Sequence, residues 1–193
     1  MKVLCLTGMP QTGKTTLINE LIKIEGVEAI KIGEEYRKRF TPEERYWEAT
    51  GDLAPEEVTE EMVKLAIEEA DQNGTEMIII DGMPRIADQA LFICETFKQH
   101  ELYFVMLSAS MIKLIRRSKA RNRIDDTEGI LFTRVRKFNE ELQDIVYNIV
   151  LHGYQMKKID TGNMSVEDEV ELIKEIVGME RWLWVQKNGL KIY

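Results

Sequence analysis

The chain has 193 residues, 44% hydrophobic and 31% charged, and a formal net charge of −8 at pH 7. Length and composition predict one α/β domain with its own core and exclude a disordered or low-complexity chain, while the acidic balance argues against a general nucleic-acid binder. No apolar run is long enough to span a membrane, and no charged-then-apolar segment opens the sequence, so a cytoplasmic protein is expected.

Residues 3–6 predict a short buried strand and residues 16–22 an amphipathic helix. Between them Gly8, Met9, Pro10, Gln11, Thr12, Gly13, Lys14 and Thr15 fit the phosphate-loop pattern G-x-x-x-x-G-K-[ST] at every required position. Glycines let a backbone wrap closely round a polyphosphate, and the open N–H groups of a helix start face the anion with the helix dipole behind them. Lys14 is expected to reach the terminal phosphates, and the hydroxyl of Thr15 or Thr16 to meet magnesium or a phosphate.

Residues 28–32 predict a second strand ending at Gly33. From 34 to 51 the chain turns charged and aromatic with weak periodicity, which predicts short helices in a small lobe outside the sheet. Pro55, followed by Glu56 and Glu57, opens a long helix with Val58, Met62, Leu65, Ile67 and Ala70 as its apolar positions, and Asn73-Gly74 closes it. Residues 77–81, Met-Ile-Ile-Ile-Asp, read as a central strand buried on both faces, with Asp81 at its end placed to hold magnesium. Residues 88–99 follow as a helix and 102–107 as a fourth strand.

A basic helix with Arg116, Arg117 and Lys119 comes next, and the excess of basic residues between Lys113 and Lys137 suggests a local anion site. Asp125 or Asp126 with Glu128 resembles an N-terminal cap for a long helix through residue 151. Residues 156–160 form a fifth strand and 166–177 a closing helix. Strands alternating with helices predict a parallel, doubly wound five-stranded sheet, with a ligand crevice at the strands' carboxyl ends, where the phosphate loop and Asp81 both fall. Cys5 and Cys94 are expected as buried small hydrophobes, the methionines as core fillers, and His100 and His152 on helix surfaces. Residues 179–193, with Trp182, Trp184 and the turn dipeptide Asn188-Gly189, predict a hairpin that packs on its own domain or offers a partner surface.

Together these residues resemble the nucleoside monophosphate kinase family, adenylate kinases with a short lid most of all. The loop from Gly8 through Pro10 to Lys14 is similar to the family loop, residues 33–37 to its Gly-Asp-Leu-Leu-Arg stretch, and residues 50–55 to its monophosphate-lobe signature. Asp81-Gly82-Met83-Pro84-Arg85 with Gln89 resembles the family's Asp-Gly-Phe/Tyr-Pro-Arg segment and downstream glutamine. Arg117, Arg123-Ile124-Asp125-Asp126 and Arg134 match the arginines around its lid. Departures are Gln11 and Asn122, where the family has glycine, and Ile32, where it often has Thr or Ser.

The resemblance implies magnesium-dependent transfer of the ATP γ-phosphoryl group to a nucleoside monophosphate, with AMP expected and UMP or CMP as the alternative acceptor; a nucleotide-binding regulatory protein is the other reading. It implies ATP on Gly8, Pro10, Gln11, Thr12, Gly13, Lys14, Thr15, Thr16 and Arg117. The monophosphate falls to Gly33, Arg37, Ala54, Asp81, Gly82, Arg85, Gln89, Arg123 and Arg134, and the metal to Thr15 and Asp81. Lys14, Arg85, Arg117, Arg123 and Arg134 are the implied catalytic set, which suits phosphoryl transfer because positioning and charge neutralisation carry it. Gln89 favours adenine, since an amide pairs with both a donor and an acceptor of a base edge. The implied domain spans residues 1–178, with an inserted lobe at about 33–62 and a lid at about 117–127 that has no cysteine for zinc. A monomer is expected.

Overall fold

The computed structural model describes residues 1–47, 52–121 and 128–179. Its centre is a parallel five-stranded sheet of β1 (Lys2–Gly8), β2 (Val27–Lys31), β3 (Met77–Asp81), β4 (Glu101–Ser108) and β5 (Met156–Asp160), in the order β2-β3-β1-β4-β5. Around it lie α1 (Lys14–Leu21), α2 (Ile32–Arg39), α3 (Glu56–Gln72), α4 (Ala87–Thr96), α5 (Met111–Arg121), α6 (Glu128–Leu151) and α7 (Val166–Ile176). This is the predicted α/β architecture with a phosphate loop after the first strand.

Two hydrophobic layers hold the sheet, and the period-two geometry of a strand sorts its residues between them. Val3 and Cys5 of β1 face one way with Ile78, Ile80 and Phe104, against α3, α4 and α6. Leu4 and Leu6 face the other way with Ile79, Val105 and Leu107, against α1 and α7. Cys5 and Cys94 are free buried thiols in the first layer, and burial raises both above the ordinary thiol range, Cys94 to about 11.

Several boundaries differ from expectation for local reasons. Helix α1 begins at Lys14, so Thr15 and Thr16 lie in its first turn. Strand β2 stops at Lys31, whose register partner is Asp81 at the end of β3, and Ile32 turns inward as the first residue of α2. The buried positions of α3 are Thr59, Met62, Val63, Ile67 and Ala70, whereas Leu65 is 51% exposed because it falls off the stripe that Met62 and Ile67 define.

Two aromatic residues of the charged stretch after Gly33 pack on the core. Tyr36 and Trp47 are buried in the same layer as Ile78 and Phe104. Tyr36 also ties α2 to α3, its hydroxyl lying 2.8 Å from Thr59 Oγ1 and 3.1 Å from the Pro55 carbonyl. Neither histidine sits on a helix surface. His152 follows α6 and places Nδ1 2.8 Å from the Asn148 carbonyl, and the His100 N–H donates to the Phe97 carbonyl beyond α4. Helix α7 carries an unforeseen capping box, in which Ser165 Oγ accepts the Asp168 N–H and Asp168 reaches back to the Ser165 N–H. The expected cap of α6 and the expected hairpin after Met179 lie outside the described residues.

Candidate functional site

Gly8 ends β1 with φ of 137°, and a Cβ there would lie 2.2 Å from the Leu107 carbonyl oxygen of β4. A side chain is thus excluded where the strand opens into the loop. Gln11, in place of the family glycine, adopts the left-handed conformation itself at φ 65°, and Gly13 takes φ 102° as the residue before α1. The loop is cross-braced. Thr12 Oγ1 donates to the Met9 carbonyl at 2.8 Å, and Lys14 Nζ folds back to donate to the Gly8 and Met9 carbonyls, both at 2.9 Å.

Other elements brace it from outside. The Thr161 hydroxyl, in the turn after β5, donates to the Thr12 carbonyl at 2.7 Å. From α5, Arg117 donates to the Gln11 carbonyl at 3.2 Å and to the Thr161 carbonyl at 3.0 Å. Thr7 Oγ1 donates to the Pro84 carbonyl at 2.6 Å, which locks β1 to the turn after β3, where the Met83–Pro84 bond is cis. In that turn Arg85 Nε donates to the Gly82 carbonyl at 2.7 Å. Gln89 is buried, and its Oε1 accepts the Arg85 N–H at 2.8 Å.

Two clefts of similar size open at the strands' carboxyl ends. The first, about 670 Å³, lies among α2, α3, α6 and the β3–α4 turn; its apolar wall includes Ile32, Tyr36, Trp47, Leu53, Met83 and Phe138, and Gln89 lines it too. The second, about 660 Å³, lies over residues 10–16, with Ala120, Met164, Val166 and Glu169 on its outer side. They share Pro10, Lys14, Gly33, Arg37, Arg85 and Arg134, so four cationic side chains stand where the clefts meet.

Most of the residues singled out from sequence line these clefts. Gly33, Arg37, Ala54, Gly82, Arg85, Gln89 and Arg134 line the first. Residues 10–16, Arg117 and Asp81 line the second, with Thr15 half-buried and Thr16 exposed. Gly8 lines the first cleft rather than the loop's own. Arg123 and most of the expected lid lie outside the described residues.

Three further residues belong to the site. Thr161 is fully buried and follows a strand's carboxyl end, a position that the crevice rule could have singled out. Glu169 is 4% exposed beside the second cleft, and burial pushes its carboxyl up to about 6 against the pull of Arg117. In a helix rich in Glu and Asp nothing in the sequence marks it. Lys31 lines the same cleft beside Asp81, whose carboxyl is raised by burial and held down by Lys14, Arg85 and Lys31. For a metal, the Thr15 hydroxyl and the Asp81 carboxylate are both oxygen donors in the phosphate-loop cleft, which fits a hard divalent cation such as magnesium.

A family model described as an AAA domain matches residues 7–131, from the end of β1 into α6. The adenylate kinase of Mycolicibacterium paratuberculosis is 32% identical over 176 residues, covering 86% of this chain and 92% of that protein. The adenylate kinase of Corynebacterium urealyticum is 30% identical over 183 residues, covering 89% and 94%, and that of Mycobacterium ulcerans 29% identical over 175 residues, covering 86% and 92%. The chain belongs to the nucleoside monophosphate kinase family. It is adenylate kinase-like over most of its length, and the family model spans the phosphate loop and Asp81. Among the described residues no helix is long and apolar enough to cross a membrane.

Proposed function

We propose that the protein transfers the γ-phosphoryl group of magnesium-bound ATP to AMP, giving two ADP. The observation that carries this reading is the pair of clefts sharing Lys14, Arg37, Arg85 and Arg134. A protein that only bound a nucleotide would need one phosphate site; two clefts joined by four cations suit a donor and an acceptor whose phosphates meet. In this reading the donor triphosphate lies over residues 10–16 and its nucleoside beside Arg117 and Met164. The acceptor base enters the apolar cleft beside Gln89, and Arg37 and Arg85 hold its phosphate.

Guanidinium groups grip phosphate oxygens through two parallel N–H bonds and stay charged at working pH. Lys14 would exchange the Gly8 and Met9 carbonyls for phosphate oxygens, while Arg134, with Arg123, neutralises charge on the moving group. Thr15 and Asp81 would hold magnesium, which would supply positive charge against that of the phosphates. Closure over both clefts would exclude water, which otherwise competes with the acceptor.

One observation favours a second acceptor reading. Gln89 Oε1 already accepts the Arg85 N–H, which leaves one oxygen lone pair beside the NH2 donors for a base. The donors can meet N1 of adenine, but also an acceptor edge of cytosine or uracil. A coupled assay with magnesium and ATP against AMP, GMP, CMP and UMP, with no-acceptor controls, decides between them. Preference for AMP is expected; preference for CMP or UMP moves the protein to the sister activity, and binding without transfer to any acceptor overturns the kinase reading.

A further inference from the structure

We propose that Lys31 is a second phosphate-binding lysine of the transfer centre, a built-in cation that shares with magnesium the neutralisation of the donor triphosphate. The inference rests on the assignment of the phosphate-loop cleft to a donor triphosphate.

Lys31 is the last residue of β2 and the register partner of Asp81, the last residue of β3. Neighbouring strands lie about 4.8 Å apart, and paired residues leave the sheet on the same face. A lysine is therefore built in next to the residue expected to meet the metal, and both line the phosphate-loop cleft. The side chain is 19% exposed and lies along the cleft wall, with Nζ donating to Asn19 Oδ1 at 2.7 Å and 3.9 Å from Glu34 Oε1. Asn19 stands one turn beyond Thr15 on α1, so Lys31 spans from the phosphate-loop helix to Asp81.

An ammonium carries three donors, and the bond to Asn19 uses one. The remaining two are available to phosphate oxygens. Unlike a metal, this cation stays with the protein when the nucleotide arrives alone. Metal-free ATP brings more negative charge than its magnesium complex, so the attraction to a fixed cation is greater for the free nucleotide. Lys31 accordingly strengthens binding of metal-free ATP more than binding of magnesium-ATP.

Calorimetric titration of the full chain with ATP in EDTA and with ATP in excess magnesium tests this. Lys31→Met is expected to weaken metal-free ATP on the order of tenfold, the scale of one charge-assisted hydrogen bond, and magnesium-ATP by about twofold. Lys31→Arg should keep the wild-type ratio of the two affinities. Lys31→Gln, which preserves a polar partner for Asn19, should repeat the Met result and separates charge loss from misfolding. Equal weakening of both forms, or no change in either, overturns the inference. A wild-type chain that binds ATP in neither form would overturn the donor-site reading and this inference with it. One that binds ATP but phosphorylates no monophosphate would overturn the transferase reading and leave Lys31 to be judged by the affinity ratio.

Discussion

At Gly8 the space for a methyl group is already filled by the Leu107 carbonyl, and φ of 137° strains any side chain there. Gly8→Ala must part β1 from β4 where the strand opens into the phosphate loop. A loss of about 1–3 kcal/mol in stability by urea denaturation is expected, with weakened ATP binding. Glu169 makes the opposite kind of prediction, one of gain. Its folded-state carboxyl stands at about 6 rather than 4.5, so protonation favours the folded form. The contribution is fully present below pH 4.5 and is lost as pH rises through about 6. Glu169→Gln should therefore be more stable than wild type at pH 7.5, with the difference shrinking toward pH 4.5 in parallel urea titrations. The sequence made the phosphate loop and its lysine legible because pattern and context agreed. Gln89 was legible only as a residue type, since its bond to the Arg85 N–H depends on the turn geometry at Pro84.

Elements were easiest to read where burial came from one side or both sides throughout. Strand β3 and helix α6 end where apolar periodicity ends, and Pro55 directly precedes α3. The face of α3 was harder, because Leu65 is as apolar as Met62 and only the position of the neighbouring strand chooses between them. Met62→Ala should cost about 2–4 kcal/mol in chemical denaturation and Leu65→Ala under about 0.5 kcal/mol. Equal costs would show that the helix is rotated from the orientation described. In the stretch after Gly33 charge dominates the composition, so the burial of Tyr36 and Trp47 against the sheet has no periodic signal in the sequence. In the turn after β5 only the place at a strand's carboxyl end marks Thr161, which braces the phosphate loop through the Thr12 carbonyl.

Over the whole molecule the described core extends to Met179. Met179 is 3% exposed in the layer that includes Leu4 and Leu6, and Lys2 reaches the Val177 carbonyl across the base of the sheet. We infer that residues 1–179 suffice for folding and transfer. A chain truncated after Met179 should unfold cooperatively and keep turnover within about twofold of the full chain; a folded truncation without activity would assign the removed residues a part in catalysis. Before any nucleotide arrives, Lys14 is occupied by two carbonyls of its own loop. Phosphate binding there is consequently an exchange reaction, in which the bonds gained to the ligand are offset by bonds surrendered to the chain. The heat released should be small beside the number of contacts formed, and weakly charged anions should fail to displace the lysine at all. The loop thus favours ligands of high charge density over the weaker anions around it.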